Sequence, residues 1–281
     1  MSAGASTPDC ALDCDVLIAG GGMVGASLAV ALAGLPLRVQ LVESVPAGTP
    51  GQPSFDARTT ALSRSSQHIL AALGIWPAVQ ADAAPIRRIH ISERGRFGTS
   101  VIDGDEEGGE PLGYVLENRL LGAALWRAMA ACQRLGIRAP ASVTGVTTGA
   151  DWMTVGVRTA DGEAGVRTRL LIVADGARSP LRAGLGIDAR VRPYGQVAIT
   201  GNVAVSNPGP GGTAYERFTA AGPLALLPAG PGRYGFVLTR RAAEADGIVA
   251  LPDGEFLALL QAEFGFRLGR FDRVGVRSSY P

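Results

Sequence analysis

"VLIAGGGMVGASLAVALAGL", running from Val16 to Leu35, carries no charge and is long enough on that ground to cross a bilayer. Its internal order points elsewhere. Asp15-Val16-Leu17-Ile18-Ala19 is a short apolar run of the kind that forms a buried parallel strand. Gly20-Gly21-Gly22 interrupts any helix begun there, and small apolar residues resume at helical spacing from Val24. The stretch therefore reads as strand, glycine turn and helix. That order argues against a membrane span, and no positively charged segment precedes it, so a signal peptide is not expected either.

The glycines fall as Gly20-x-Gly22-x-x-Gly25, and Glu43 closes the next strand, "RVQLVES". In such a pattern Gly20 allows the tight turn and Gly22 lets a pyrophosphate approach the backbone. Gly25 permits close helix–strand contact, and the helix N-terminus favours the phosphates. The acid about 20 residues later accepts the ribose hydroxyls. Strand, helix, second strand and acid in register predict a dinucleotide site. This element alone does not choose between FAD and NAD.

Composition narrows the chemistry. The 281 residues suffice for one large domain or two ordinary ones. A net charge of +1 gives no reason to expect nucleic acid as a partner. The sequence contains no lysine, which excludes a Walker A site, a lysine Schiff base and pyridoxal phosphate. Cys10, Cys14 and Cys132 form no metal pattern, and His68 and His90 are too few for a histidine-rich centre. His68 reads as a helix-surface residue and His90 as a strand residue; no metal is expected.

Along the chain, "LSRSSQHILAALGIWPAV" predicts an amphipathic helix with Ile69, Leu70, Leu73 and Trp76 facing inward. From Pro85, "IRRIHISERGRFGTSVI" alternates like antiparallel strands, and "DGDEEGGEP" is a polar loop. A helix follows in "NRLLGAALWRAMAACQRLG", then short strands, the last ending in Leu170–Ala174 and delivering Asp175-Gly176. Further strands ("GQVAITGNVAV", "LALLP", "RYGFVLTR") and a helix ("DGEFLALLQAEFG") complete the pass.

Asp-Gly by itself is an ordinary turn signal. At a strand end about 150 residues beyond a dinucleotide fingerprint, "LLIVADGARSPLR" resembles the second nucleotide motif of flavoprotein aromatic hydroxylases. With "FDARTTALSRSSQHILAALGIW", "LGYVLENRLLGAAL" and "YERFTAAGPLALLPAG" in the same order, the chain resembles the ubiquinone-biosynthesis branch of the single-component FAD monooxygenases. "DARTTALS" and "ERFTAAGPLALLP" are the most specific to that branch.

The resemblance implies an α/β fold of the p-hydroxybenzoate hydroxylase type, α+β overall. A Rossmann-like FAD-binding domain (residues 14–84 and 113–187) would carry an inserted antiparallel substrate domain (85–112 and 188–281), after a flexible tail at 1–13. Gly20, Gly22, Gly25 and Glu43 would hold the ADP half of FAD. Arg58 would contact the flavin nucleotide, and Asn118 or Arg119 another part of FAD, with helix capping the other reading of Asn118. Asp175 and Gly176 would reach the pyrophosphate region, and Arg178 would attract NADPH phosphates. Pro223 and Leu224 would shape an apolar wall.

The same resemblance implies that NADPH acts as a transient reductant. O2 would then yield a C4a-hydroperoxyflavin that hydroxylates a polyprenyl phenol, with the flavin carrying the chemistry and no catalytic amino acid. A cytoplasmic protein able to sit at the inner-membrane surface or in a ubiquinone-pathway complex is expected. Relatives continue past "R…YPL" into a "GDAAH" motif, whereas this sequence ends at "RVGVRSSYP". The expectation is thus a shortened chain that binds FAD weakly or not at all and lacks full activity; a non-catalytic fragment associating with other ubiquinone-pathway proteins is the second reading. A flavin-dependent halogenase would need lysine and a paired-tryptophan element, and a plain NAD dehydrogenase would leave Asp175-Gly176 unexplained.

Overall fold

The computed structural model describes residues 12–46, 49 and 58–280. Chain contacts divide it into two units. One comprises the described residues within Met1–Asp56 together with Leu121–Ala189; the other comprises those within Ala57–Leu120 and Arg190–Pro281.

In the first unit the apolar run of the opening stretch becomes β1 (Cys14–Ala19), and the small-residue run becomes α1 (Met23–Ala33). Val16 to Ala19 are all buried, as a central parallel strand requires. Gly25, Ala26 and Ala29 form the buried side of α1, where short side chains allow a close approach to the sheet. β2 (Val39–Val42), β8 (Leu135–Arg138), β9 (Ser142–Thr148), β10 (Met153–Thr159) and β11 (Gly162–Val173) complete a six-stranded sheet. Its order is β8–β2–β1–β11–β10–β9. The four strands from β8 to β11 are parallel, while β11, β10 and β9 form an antiparallel meander. A short helix, α4 (Pro180–Gly184), follows.

Of the expected tail, residues 1–11 lie outside the described residues. Asp13 already belongs to the sheet margin: its N–H donates to Arg167 O at 3.0 Å and its carboxylate accepts from Arg167 N at 2.7 Å. Asp15 Oδ2 accepts from Arg38 N at 2.8 Å, and its Oδ1 pairs with Arg38 Nη2 at 3.1 Å. These hydrogen bonds hold the Asp15 carboxyl below the usual carboxylate range.

The second unit contains a small sheet, β3 (Thr59–Ser63), β7 (Gly113–Glu117) and β4 (Ala84–Ile86), in the order β3–β7–β4. Its large sheet comprises β5 (Arg88–Glu93), β6 (Thr99–Asp103), β12 (Gln196–Val205), β13 (Thr213–Thr219), β14 (Gly222–Pro228), β15 (Arg233–Arg241) and β16 (Phe271–Val274). β17 (Ser278–Tyr280) also pairs with β12. The helices of this unit are α2 (Arg64–Ala72), α5 (Ala242–Val249) and α6 (Asp253–Phe264). α3 (Asn118–Ala131) begins here, and the division between units falls within it.

Residues 58–84 and 113–120, expected with the dinucleotide-binding strands, thus group with the second unit. Pairing is the reason: β3 and β4 both hydrogen-bond to β7. Arg64, at the start of α2, adds side-chain bonds to Pro111 O and Glu110 O just before β7. α2 also turns differently from the expected pattern. Leu70 is buried, but Ile69 is 60% exposed, because α2 ends at Ala72 and Trp76 belongs to a separate 3₁₀ turn.

One face of the large sheet is packed under α5 and α6. Leu224, Leu226, Phe236 and Leu238 from the strands meet Phe256, Leu260 and Phe264 from α6. Phe236 and Phe256 lie 5.3 Å apart between ring centroids. Glu263 ties α6 to the strands through Arg240, at 3.3 Å, and Arg94, at 3.2 Å. Burial pushes the nearby Tyr234 hydroxyl up to about 12.

Two outcomes are expected. Phe256→Ala empties a fully buried site and costs about 3–5 kcal/mol, measured by equilibrium denaturation. Asp15 has a lowered folded pKa, so its stabilisation is full above roughly pH 4 and is lost as pH falls through the folded value. Asp15→Asn flattens that acid-side loss in stability measured against pH.

Candidate cofactor site

Parallel pairing carries the C-terminal ends of β1, β2 and β11 to one edge of the first unit's sheet. Gly20 follows β1, Glu43 follows β2 and Asp175 lies two residues beyond β11. Backbone bonds fix them: Gly20 N donates to Val42 O at 2.8 Å, and Ala174 N donates to Ala19 O at 2.8 Å. The expected meeting of the glycine turn with the Asp-Gly pair is therefore a direct neighbour contact.

Gly20 has a φ of +108°, and a Cβ there would strike Ala174 O and lie 3.0 Å from Asp175 N. A side chain is excluded on both counts. A Cβ on Gly25 would strike Gly20 O, which explains the glycine at the third position. Gly22 is the N-cap of α1, with extended backbone and no side-chain cap, and the first turn of α1 holds no acidic residue. The leading amides of this 11-residue helix are left for an anion.

Glu43 spans the turn. Its Oε2 accepts from Gly21 N at 2.5 Å, and its Oε1 accepts from Val45 N at 2.8 Å and Ser44 Oγ at 3.2 Å. A carboxylate has about four lone-pair sites, so it retains acceptor capacity for hydroxyls. Asp175 Oδ2 accepts from Leu181 N at 3.4 Å, whereas its Oδ1 is buried with no hydrogen-bond partner among the described residues. An orphaned acceptor of this kind marks a place for a donor. Gly176 has a φ of +92°, and Arg178 is exposed. A turn closed to Cβ atoms, an uncapped helix start and an unpartnered carboxylate oxygen fit a nucleotide diphosphate with its ribose.

Sequence reasoning missed Trp126. From α3, its indole N–H donates to Gly21 O at 3.2 Å. A Cβ on Gly21 would sit 2.9 Å from the Trp126 ring and 3.0 Å from Glu43 Cβ, so these two side chains box the middle glycine. The two partners lie 105 residues apart, and nothing in the local pattern links them.

The remaining expected residues belong to the second unit. Arg58 O accepts from Asn118 N at 2.8 Å, and the Arg58 guanidinium lies 4.6 Å from the Tyr280 ring centroid. Asn118, the first residue of α3, is buried, and its Oδ1 accepts from Thr60 Oγ1 at 2.6 Å. Arg119 Nε donates to Glu117 Oε2 at 2.6 Å. Pro223 and Leu224 both lie on β14, but consecutive strand residues face opposite sides. Leu224 is buried in the core under α6 and so lines no open wall.

A sequence family described as an FAD binding domain matches residues 13–265. The chain belongs to the FAD binding domain family. It is 35% identical over 267 residues to the ubiquinone hydroxylase UbiL of Rhodospirillum rubrum, covering 95% of this chain and 61% of that protein. To the 3-demethoxyubiquinol 3-hydroxylase of Escherichia coli it is 35% identical over 216 residues, 76% of this chain and 54% of the relative. The chain thus spans about three fifths of the first of these relatives and about half of the second. Pseudomonas aeruginosa PqsL in complex with 2-aminobenzoylacetate superposes with a TM-score of 0.78 at 20% identity, over 95% of this chain and 73% of that one. That likeness places the fold among the FAD-dependent monooxygenases of the p-hydroxybenzoate hydroxylase type.

Trp126→Phe keeps the ring but removes the bond to Gly21 O. The expected loss is about 1 kcal/mol of stability, read by denaturant unfolding.

Proposed function

We propose that this chain works as an FAD- and NADPH-dependent hydroxylase that adds one oxygen atom from O2 to the ring of a polyprenyl phenol in ubiquinone biosynthesis. The observation that carries the reading is the contact between Gly20 and the Ala174-Asp175 backbone, in a chain of the FAD binding domain family. Likeness to ubiquinone hydroxylases across 95% of this chain supports the substrate class.

FAD, when bound, supplies electron transfer and oxygen activation. The chain's own residues bind and shield it. The α1 amides after Gly22 hold the diphosphate and Gly22 lets it approach the backbone, while Gly20 and Gly25 keep strand, turn and helix packed closely beneath it. Glu43 accepts the ribose hydroxyls. Asp175 Oδ1 accepts a hydroxyl or ordered water beside the diphosphate, with Gly176 shaping that turn. Exposed Arg178 attracts the phosphates of NADPH. Arg58, Asn118 and Arg119 are assigned to the flavin nucleotide by the resemblance of their motifs. No side chain is assigned a nucleophilic role; the chain's part is to bind the flavin and exclude water from the reacting atoms. No helix among the described residues is long and apolar enough to cross a membrane. By the same resemblance, a polyprenyl substrate is met at a membrane surface or within a complex of ubiquinone-pathway proteins.

The test is a titration of the purified chain with FAD, followed by NADPH oxidation with and without a prenylated phenol. The reading predicts a bound-flavin spectrum, phenol-stimulated NADPH oxidation and a product heavier by one oxygen. Glu43→Ala is expected to weaken FAD about tenfold or more, the equivalent of losing hydrogen bonds to a charged acceptor. A chain that takes up no flavin, or consumes NADPH without regard to the phenol, contradicts it.

A further inference from the structure

Strand register assigns a row of side chains to the face of the large sheet opposite α5 and α6. Ser100 pairs with Ile91, Ile91 with Glu216, Glu216 with Ala225, Ala225 with Val237, and Val237 with Thr200. Paired residues project to the same face. Their neighbours Tyr215, Leu224, Leu226, Phe236 and Leu238 point the other way, into the helix-covered core.

The small sheet covers the adjoining part of the Glu216 face. Ile86 and Val115 pack on Ala214, with Ile89 and Leu227 alongside. A Cβ on Gly235 would sit 2.8 Å from Thr59 Oγ1. The Glu216 row is the next one along the strands, and Ile91, Glu216, Ala225, Val237 and Thr200 are all half-buried. It forms a shelf at the margin of the small sheet. Ala225, with a single methyl, is its floor; Val237 and Ile91 are apolar flanks, and Glu216 is the charged group on the row.

Glu216 is out of keeping with its surroundings. None of the hydrogen bonds or ion pairs found among the described residues involves its carboxylate. Burial alone pushes its carboxyl up, with no charged group contributing. A half-buried carboxylate without a partner opposes folding. The other partly buried carboxylates of this unit are paired: Asp103 with Arg88, Glu117 with Arg119 and Glu263 with Arg94 and Arg240. A lone acceptor above a methyl floor suits a flat ring that carries one hydroxyl.

We infer that Glu216 fixes substrate orientation by accepting the hydroxyl of a phenolic ring lying on the Ala225 floor between Ile91 and Val237. This rests on the hydroxylase reading and adds to it the residue that tells a phenol from its ether. A hydrogen bond from the phenol O–H to the carboxylate also raises electron density at the ring carbons ortho and para to the oxygen, where hydroxylation occurs. Glu216 is thereby a specificity residue with a defined chemical demand: a free hydroxyl.

The experiment measures binding of 2-geranylphenol and of its methyl ether, 2-geranylanisole, to the full chain by calorimetry, without turnover. Wild type is expected to bind the phenol about tenfold or more tightly than the ether, as a hydrogen bond to a charged acceptor gives. Glu216→Leu should erase the preference while keeping the ether's affinity. Glu216→Gln should retain part of it and raise the melting temperature at pH 8 by about 2 °C, since no unpaired charge is then held on the shelf. A merely structural residue would lower the melting temperature when replaced. Equal binding of phenol and ether by wild type, or an undiminished preference in Glu216→Leu, overturns the assignment of Glu216. If neither probe binds, the shelf is not a phenol site; the flavin titration and NADPH oxidation then judge the hydroxylase reading separately.

Discussion

The first unit depends on how closely two parallel strands can end beside each other. β1 and β11 pair from Cys14 to Ala19, and at their exit Ala174 O occupies the place where a side chain on Gly20 would be. That contact fixes the path of the chain into α1 and sets the distance between the glycine turn and Asp175. Gly25 repeats the demand one turn later, against Gly20 O. Glycine at both positions is a packing requirement of the sheet before it is a requirement of any ligand. The turn proposed to cradle a diphosphate takes its shape from the same geometry.

Electrostatics completes the site. An uncapped helix start presents partial positive charge, and the carboxylates at the ends of β2 and β11 accept hydrogen bonds without contributing to the core. Glu43 already bonds to Gly21 N, so it holds the turn in shape as well as offering acceptors. Trp126 holds the same glycine from the other side. The second unit solves a different problem: its sheet packs most of one face under α5 and α6 and leaves the other partly open. Glu216 lies on that face, half-buried and without an ion pair among the described residues.

Much of this was legible in the residues alone. The order strand, glycines, helix, strand, acid at 16–43 specifies a local unit whose parts are neighbours in the chain. The Asp-Gly pair at the end of an apolar strand was equally plain. The resemblance to flavin hydroxylases then ordered these pieces into one fold, and the FAD binding domain match agrees with it. What local pattern could not supply were contacts made at long range. Trp126 reaches Gly21 across 105 residues. The grouping of residues 58–84 and 113–120 with the second unit depends on β3 and β4 both choosing β7, which no periodicity announces. Ile69 was expected inward because helical spacing was carried through to Trp76; the helix stops at Ala72 and the phase is lost. The resemblance gives Leu224 an apolar wall together with Pro223, but strand alternation turns these neighbours to opposite faces and α6 covers the Leu224 side.

The central claim is that the glycine turn and Asp175 serve one ligand. Amide hydrogen exchange of the full chain with and without FAD tests it most directly. Slowed exchange at residues 21–26 and at 175–181 together, with the same dependence on FAD concentration, is the predicted result. Protection of one segment without the other, or of neither at saturating FAD, would contradict the account.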